Sequence, residues 1–332
     1  MTGYSDPTTT DGSVTGREAD ETARNARDHP PAGPTGGLAE PIRALATASL
    51  PPRDRSLPAT LCTNAGEVGL EAADSHTRPD SDRLGRLLEP VATSVVLLEG
   101  YVRLRLALVA GADGGDHDTR VQTADATPEW LSVFLENVRF PADRDAVLLA
   151  SDHLHAGAYA TVADAPLPAE RRLELYRLLT EGSSALARRF LLLSDAAPVD
   201  ERRGAIDSAA VEATLAETAG ALGATVVGAP TETRTALRTY SHAVMTALTS
   251  RTSVASDTDL RSRAARILAG EAETPAGTAP RDGAESGGPT VESHLERARG
   301  ALESLADAVE TTGSGSTPLD RLERATRLPF SG

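Results

Sequence analysis

Apolar residues recur every three or four positions through most of this chain, and this spacing constrains its fold more than any other feature. The longest case is 81–110, where the apolar positions are Leu84, Leu87, Leu88, Val91, Val95, Leu98, Val102 and Leu106. A period near 3.6 residues puts these side chains on one face of an α-helix, whereas a half-buried strand alternates every two residues. No alternating run is long enough to predict a sheet. The pattern therefore predicts an all-α, multi-helix bundle.

The same spacing predicts further helices, for a total of roughly eight to ten. We expect them at 38–49, 142–164, 168–193, 207–226, from 230 onward, 291–310 and 317–328. Proline suits the first turn of a helix because no N–H is needed there, so Pro168 and Pro230 mark helix starts. Thr317 is expected to cap the last helix.

Two segments lack this periodicity and divide the chain. Residues 1–37 are rich in Thr, Asp, Gly and Pro, and residues 271–289 read EAETPAGTAPRDGAESGGP. Both carry too few apolar side chains to offset the entropy lost on ordering. We therefore predict a disordered N-terminal tail, 1–37, and one all-α domain, 38–328, which a disordered linker at 271–289 interrupts.

The charge balance excludes several kinds of chemistry. The net charge is −15, and all 33 basic residues are arginine. Without lysine there is no P-loop lysine, no pyridoxal-phosphate lysine and no lysine nucleophile. Strong negative charge disfavours nonspecific nucleic-acid binding, which needs a basic surface. An acidic, lysine-free surface is typical of halophilic proteins, and we expect no nucleic-acid partner.

Cysteine usage and hydropathy narrow the location of the protein. The single cysteine, Cys62, excludes an intrachain disulfide and a cysteine zinc site. No apolar stretch approaches the roughly 18 residues that indicate a transmembrane helix, so no membrane span is expected. The N-terminal sequence MTGYSDPTTTDG lacks the apolar core of a signal peptide. We therefore expect a cytoplasmic protein.

The run 222–256 carries the most distinctive motif of the chain. It contains Leu222, Gly223 and Ala224, then Gly228 and Ala229, and later Tyr240 and Ala247. These residues resemble the last third of the polyprenyl (trans-isoprenyl diphosphate) synthase family, which reads LGA-x-x-x-GA and continues into a helix that ends in an Asp-rich motif. In this frame the three aspartate positions hold Thr252, Ser253 and Ser256.

A second segment extends the resemblance. LLEGYVRLRLALV, at 97–109, is similar to the family helix that ends in the first Asp-rich motif. In that frame the aspartate positions hold Leu106, Ala107 and Ala110. Segments 145–164, 210–224, 296–305 and 318–326 follow in the family order, so the resemblance spans about 81–328 and implies an isoprenoid-synthase-like bundle. In such a bundle the helices 84–110 and 230–256 face each other.

The resemblance also implies that this chain has lost the carboxylates that bind Mg²⁺ in the family. Family members ionise an allylic diphosphate with Mg²⁺, which needs oxygen ligands in octahedral geometry. Because both Asp-rich motifs lack their carboxylates, the implied protein is non-catalytic and needs no cofactor. It would be a partner subunit or a prenyl-chain-binding scaffold in isoprenoid metabolism. We expect it to form a homodimer or a heterodimer, and the partner in the heterodimer could be an active polyprenyl synthase.

An active enzyme remains the alternative hypothesis. The chain would then be a prenyltransferase that condenses isopentenyl diphosphate with an allylic diphosphate and uses Mg²⁺ held by other ligands. Asp113, Asp116 and Asp118 in the loop GADGGDHDTR are the candidate ligands, although a solvated acidic loop explains them as well. A third hypothesis is an accidental likeness among alanine-rich helices.

Four polar residues are candidates for lining a substrate cavity: Arg105, Asp152, His155 and Arg251. Asp152 and His155 are three residues apart, so they share one face of a helix. For each candidate, an ordinary surface or salt-bridged role is the alternative. The aromatic segment around Trp130 is either a local apolar cluster or a partner contact, and the sequence does not separate these.

Overall fold

The computed structural model describes residues 37–73, 80–112, 143–195, 208–250, 257–271, 289–309 and 317–327. Within these ranges the chain forms ten α-helices and one 3₁₀ turn, with no strand. The all-α fold predicted from the apolar period is therefore confirmed for the described residues. Most of 1–37 and of 271–289 lies outside them, so the disorder of these two segments stays a prediction.

The helices in chain order are α1 Glu40–Ser49, α2 Leu57–Glu71, α3 Ser81–Ala112, α4 Arg144–Ala163, α5 Ala169–Asp195, α6 Ser208–Val226, α7 Thr231–Ser250, α8 Asp257–Leu268, α9 Pro289–Ala308 and α10 Pro318–Arg327. The 3₁₀ turn, Arg53–Arg55, connects α1 to α2. The apolar period does not predict α2 or α8. α2 is buried on nearly all sides, so it has no polar face, and α8 is short and rich in charge.

Side-chain caps fix where two of these helices begin. The Ser56 hydroxyl accepts a hydrogen bond from the Ala59 N–H at 3.2 Å, and α2 follows. Thr317 caps α10 as predicted, because its hydroxyl accepts from the Asp320 N–H at 3.1 Å. The Asp320 carboxylate accepts in return from the Thr317 N–H at 2.8 Å, which completes a reciprocal cap.

Two apolar cores form on opposite sides of α6. The first core comes mainly from α3, α4 and α5, with buried residues such as Leu98, Leu154 and Leu179. The second comes mainly from α2, α7 and α9, with Leu61, Tyr240 and Leu305. α6 contributes to both, since Val211, Leu215 and Leu222 belong to the first core and Ala213, Ala216 and Ala224 to the second. A helix that is apolar on all sides must be covered on all sides, and α6 is therefore central.

Glycines let the α6 backbone lie directly against its neighbours. A Cβ atom on Gly223 would come within 1.9 Å of the Cys62 carbonyl oxygen in α2. A Cβ atom on Gly220 would come within 2.4 Å of the Ser241 hydroxyl and 3.0 Å of the Leu237 carbonyl oxygen in α7. Only residues without a side chain fit at these two crossings.

α3 and α7 each pack against α6, and their buried residues belong to different cores. The expectation that these two helices face each other stays a prediction. The segment 251–256, which carries the second motif position, lies outside the described residues.

Replacing Gly223 by alanine tests the crossing of α2 and α6. We expect Gly223→Ala to lower the free energy of unfolding by about 1–3 kcal/mol, because the added methyl group overlaps backbone atoms that cannot rotate away. Gly300→Ala in α9 is the matched control, because a Cβ atom there meets nothing within 4 Å. It should stabilise the protein by about 0.4–1 kcal/mol. Denaturant titration measures both, and equal stability of the two variants would contradict the close crossing.

Candidate functional site

Three of the four predicted cavity residues come together between α3 and α4. Arg105 Nη2 and Asp152 Oδ1 form an ion pair at 2.6 Å. One turn further along α4, the His155 ring stacks on Tyr101 with ring centroids 4.8 Å apart. The Arg105 guanidinium carbon lies 5.5 Å from the centroid of the Tyr101 ring. The fourth candidate, Arg251, lies outside the described residues.

Helix α5 closes the other side of this cluster. The Ser183 hydroxyl lies 2.9 Å from His155 Nε2, and the Tyr159 hydroxyl donates to Ser183 at 3.2 Å. The Tyr159 and Tyr176 rings stack with centroids 5.9 Å apart. We call these residues of α3, α4 and α5 the aromatic cluster: Tyr101, Arg105, Asp152, His155, Tyr159, Tyr176, Ser183 and Phe190.

The surroundings of His155 in the aromatic cluster favour its neutral form. Burial lowers the pKa of His155, Asp152 opposes this shift and Arg105 adds to it. A serine nucleophile would need an imidazole that a third group orients. Among the described residues, Asp152 pairs with Arg105 and makes no hydrogen bond to the imidazole. Its side chain is 56% exposed, so it does not lie in an enclosed cavity. The observed contacts are those of packing between three helices.

The positions that the resemblance gives to the first Asp-rich motif are apolar and buried. Leu106 and Ala107 are 0% exposed and belong to the first core, and Ala110 packs against that core. Thr252, Ser253 and Ser256 lie outside the described residues, as do Asp113, Asp116, Asp118 and Trp130. The expectations for these residues stay predictions.

Two features are absent from the described part of the chain. No three His, Cys, Asp or Glu side chains are grouped closely enough there to hold a metal ion. No helix in the same ranges combines the length and apolar character that crossing a bilayer requires.

Exposed leucines mark one end of the α4–α5 pair. Leu148, Leu149, Leu191 and Leu192 are 38%, 54%, 60% and 62% exposed, and we call them the leucine face. His155 contacts Ser183 and Tyr159 stacks on Tyr176, so the two helices are antiparallel. This register brings the start of α4 next to the end of α5. Leu148 is exposed, whereas Val147 and Leu154 of the same helix are buried.

A cleft of about 320 Å³ lies between α6, α7 and α9. We call it the basic cleft, and its lining residues are Glu217, Thr235, Arg238, Thr239, His242 and Arg297. These side chains come from three helices, so only the tertiary fold brings them together.

Neither a protein-family model nor a curated protein matches this sequence. The fold is similar to those of solved structures. One is a geranylgeranyl pyrophosphate synthetase from Pyrococcus horikoshii Ot3, at 14% identity and a TM-score of 0.47, over 95% of this chain and 100% of that chain. Another is a geranyltransferase from Legionella pneumophila, at 14% identity and a TM-score of 0.48, over 94% and 93% of the two chains. With identities and TM-scores this low, the likeness carries no conclusion about activity.

The opposite effects of Arg105 and Asp152 on the pKa of His155 can be measured. We expect Arg105→Gln to raise the pKa of His155, because a cation that opposes protonation is removed. Asp152→Asn should lower it, because a stabilising anion is removed. Asp145→Asn, two turns away on α4, is the control and should leave it unchanged. NMR titration of the histidine ring protons tests this, and shifts of the same sign in the first two variants would contradict the arrangement.

Proposed function

We propose that this chain is a non-catalytic relative of the polyprenyl synthases that acts as a partner subunit. The proposal that the chain is non-catalytic rests on the burial of Leu106 and Ala107 in the first core. A site for Mg²⁺ there would need several carboxylates with room for water. Unpaired carboxylates buried among apolar side chains cost several kcal/mol, so this packing supports the loss of the first motif.

The leucine face supports the partner role. Contiguous exposed apolar surface on a soluble protein marks an interaction site more often than isolated apolar residues do. The four leucines lie at the start of α4 and the end of α5, and each is at least 38% exposed. Burying them against a helical partner would remove this apolar surface from water.

A second copy of this chain is the partner that we propose to test. Soluble oligomers are mostly symmetric homo-oligomers, in which the same patch of each subunit meets the other. The leucine face consists of apolar side chains, so two copies of it can pack against each other. Association with an active synthase subunit would also bury the leucine face against an apolar surface of the partner.

The two other hypotheses find less support among the described residues. A prenyl-chain scaffold needs an apolar cavity, whereas the cleft between α6, α7 and α9 is lined with charged and hydroxyl side chains. An active prenyltransferase would depend on Asp113, Asp116 and Asp118, which lie outside the described residues. Both stay open to direct assay.

The leucine face is tested with the double variant Leu191→Gln and Leu192→Gln. We expect the unmodified chain to be a dimer in light scattering at micromolar concentration, and the variant to dissociate at least about tenfold more readily. Leu173→Gln is the matched control, because Leu173 is 51% exposed but lies at the other end of α5. It should leave the dimer intact, and neither change should alter the stability of the monomer by more than about 0.5 kcal/mol.

Two results would contradict the proposed contact. One is an unmodified chain that stays monomeric at these concentrations. The other is a monomeric chain whose fluorescence from Trp130, the single tryptophan, differs between the unmodified protein and the double variant. That shift would mean that the chain itself covers the leucine face.

A further inference from the structure

The basic cleft opens on the solvent side of α7. Thr235, Arg238 and His242 are spaced by three and four residues, so they share one helix face. The opposite face of α7, with Leu237 and Tyr240, packs into the second core. The cleft volume of about 320 Å³ lies near the lower end of the roughly 300–1,000 Å³ that is typical of small-molecule sites.

The two guanidinium groups of the cleft have few protein hydrogen-bond partners among the described residues. Arg238 Nη2 donates to Glu217 Oε1 at 2.6 Å, and both side chains are partly exposed. Arg297 has no hydrogen-bond or ion-pair partner among the described residues. Each guanidinium carries five N–H donors in a planar fork, so one carboxylate satisfies only a small part of this capacity. The Thr239 hydroxyl lies beside them in the cleft.

Arginines near the cleft add to the effect of burial on the pKa of two histidines. Burial lowers the pKa of His242, and although Glu217 opposes the shift, Arg297 and Arg189 lower it further. Burial also lowers the pKa of His294, as do Arg297 and His242. The Nδ1 atom of His294 is buried without a hydrogen-bond partner in the described structure.

This local charge is the reverse of the charge of the whole chain. The protein carries −15 overall, yet two arginines and a single glutamate line the cleft. Two guanidinium groups that line one cleft repel each other, and a bound anion relieves this repulsion. Guanidinium groups bind phosphate oxygens through short, charge-assisted hydrogen bonds. We propose that the basic cleft binds a tetrahedral oxyanion, as free phosphate or as the phosphate group of a small monoester, with Arg297 and Arg238 as its main ligands.

Glu217 then acts as an internal competitor for the anion. Its carboxylate holds one edge of the Arg238 guanidinium, so an incoming oxyanion must share or displace it. This predicts effects of opposite sign. Removing Arg297 should weaken binding, and neutralising Glu217 should strengthen it, which a general loss of folding cannot mimic.

Isothermal titration of the full chain tests this, with inorganic phosphate and glycerol phosphate as separate probes. Arg297→Gln should weaken binding at least about tenfold, because losing one charge-assisted hydrogen bond typically lowers the affinity by this much. Glu217→Gln should tighten it. Arg299→Gln is the matched control, because Arg299 is exposed on α9 but does not line the cleft. Tighter binding of glycerol phosphate would identify a monoester as the ligand class, and equal binding would identify the free oxyanion.

A second readout does not depend on the heat of binding. Inorganic sulfate, which does not titrate near neutral pH, should raise the pKa of His242 and His294 in NMR titrations, because an anion favours the imidazolium form. The other charged groups around these rings are Glu217, Arg238, Arg297 and Arg189. By linkage, the anion should bind more tightly as the pH falls through the histidine pKa values.

Three results would overturn the oxyanion site. The first is no saturable binding of either phosphate probe at millimolar concentration. The second is equal weakening by Arg297→Gln and Arg299→Gln, which would reflect only a diffuse electrostatic effect. The third is weakening, in place of tightening, by Glu217→Gln. Because none of these variants touches the leucine face, failure here leaves the proposed subunit role unaffected.

Discussion

The close crossing of α6 with α2 is the contact on which the rest of the structure depends. At Gly223 the α6 backbone approaches the Cys62 carbonyl so closely that no side chain fits. This places α6 deep enough to be covered on both sides, and it becomes the shared wall of two apolar cores. Its one strongly buried carboxylate, Glu212, is 7% exposed and pairs with Arg261 of α8. The ion pair satisfies a charge that would otherwise be costly at this depth.

A central helix of this kind separates the two proposed binding surfaces from the buried cores. The leucine face lies on α4 and α5 and the basic cleft on the solvent side of α7, while the buried residues of α6 hold the cores together. Surface changes at either site should therefore leave the packing around α6 intact. Leu106 and Ala107, which the proposed alignment assigns to the first motif, pack in the first core, where a metal ion would find no carboxylate ligands of their own.

Features set by spacing within one helix are predictable from the sequence, and features set by tertiary contact are not. Leu98 lies in the core as the apolar period predicts, and the cap by Thr317 follows from residue type and position. The apolar period does not predict α2, because Cys62 and its neighbours are buried on all sides and the helix therefore has no alternation of apolar and polar faces. The sequence singles out His155 but not its partner Ser183, which lies 28 residues away. Arg297 enters a cleft only because α9 packs on α7.

The central claim is that this chain keeps the helical bundle without the metal-dependent reaction. The most direct test is diphosphate release by the unmodified chain from isopentenyl and geranylgeranyl diphosphates, with Mg²⁺ and high salt, beside an active polyprenyl synthase as positive control. The account predicts no release above the background of a protein-free sample. Turnover by the unmodified chain that is lost when Asp113, Asp116 and Asp118 are changed to asparagine would contradict it, because the acidic loop would then hold the metal ions.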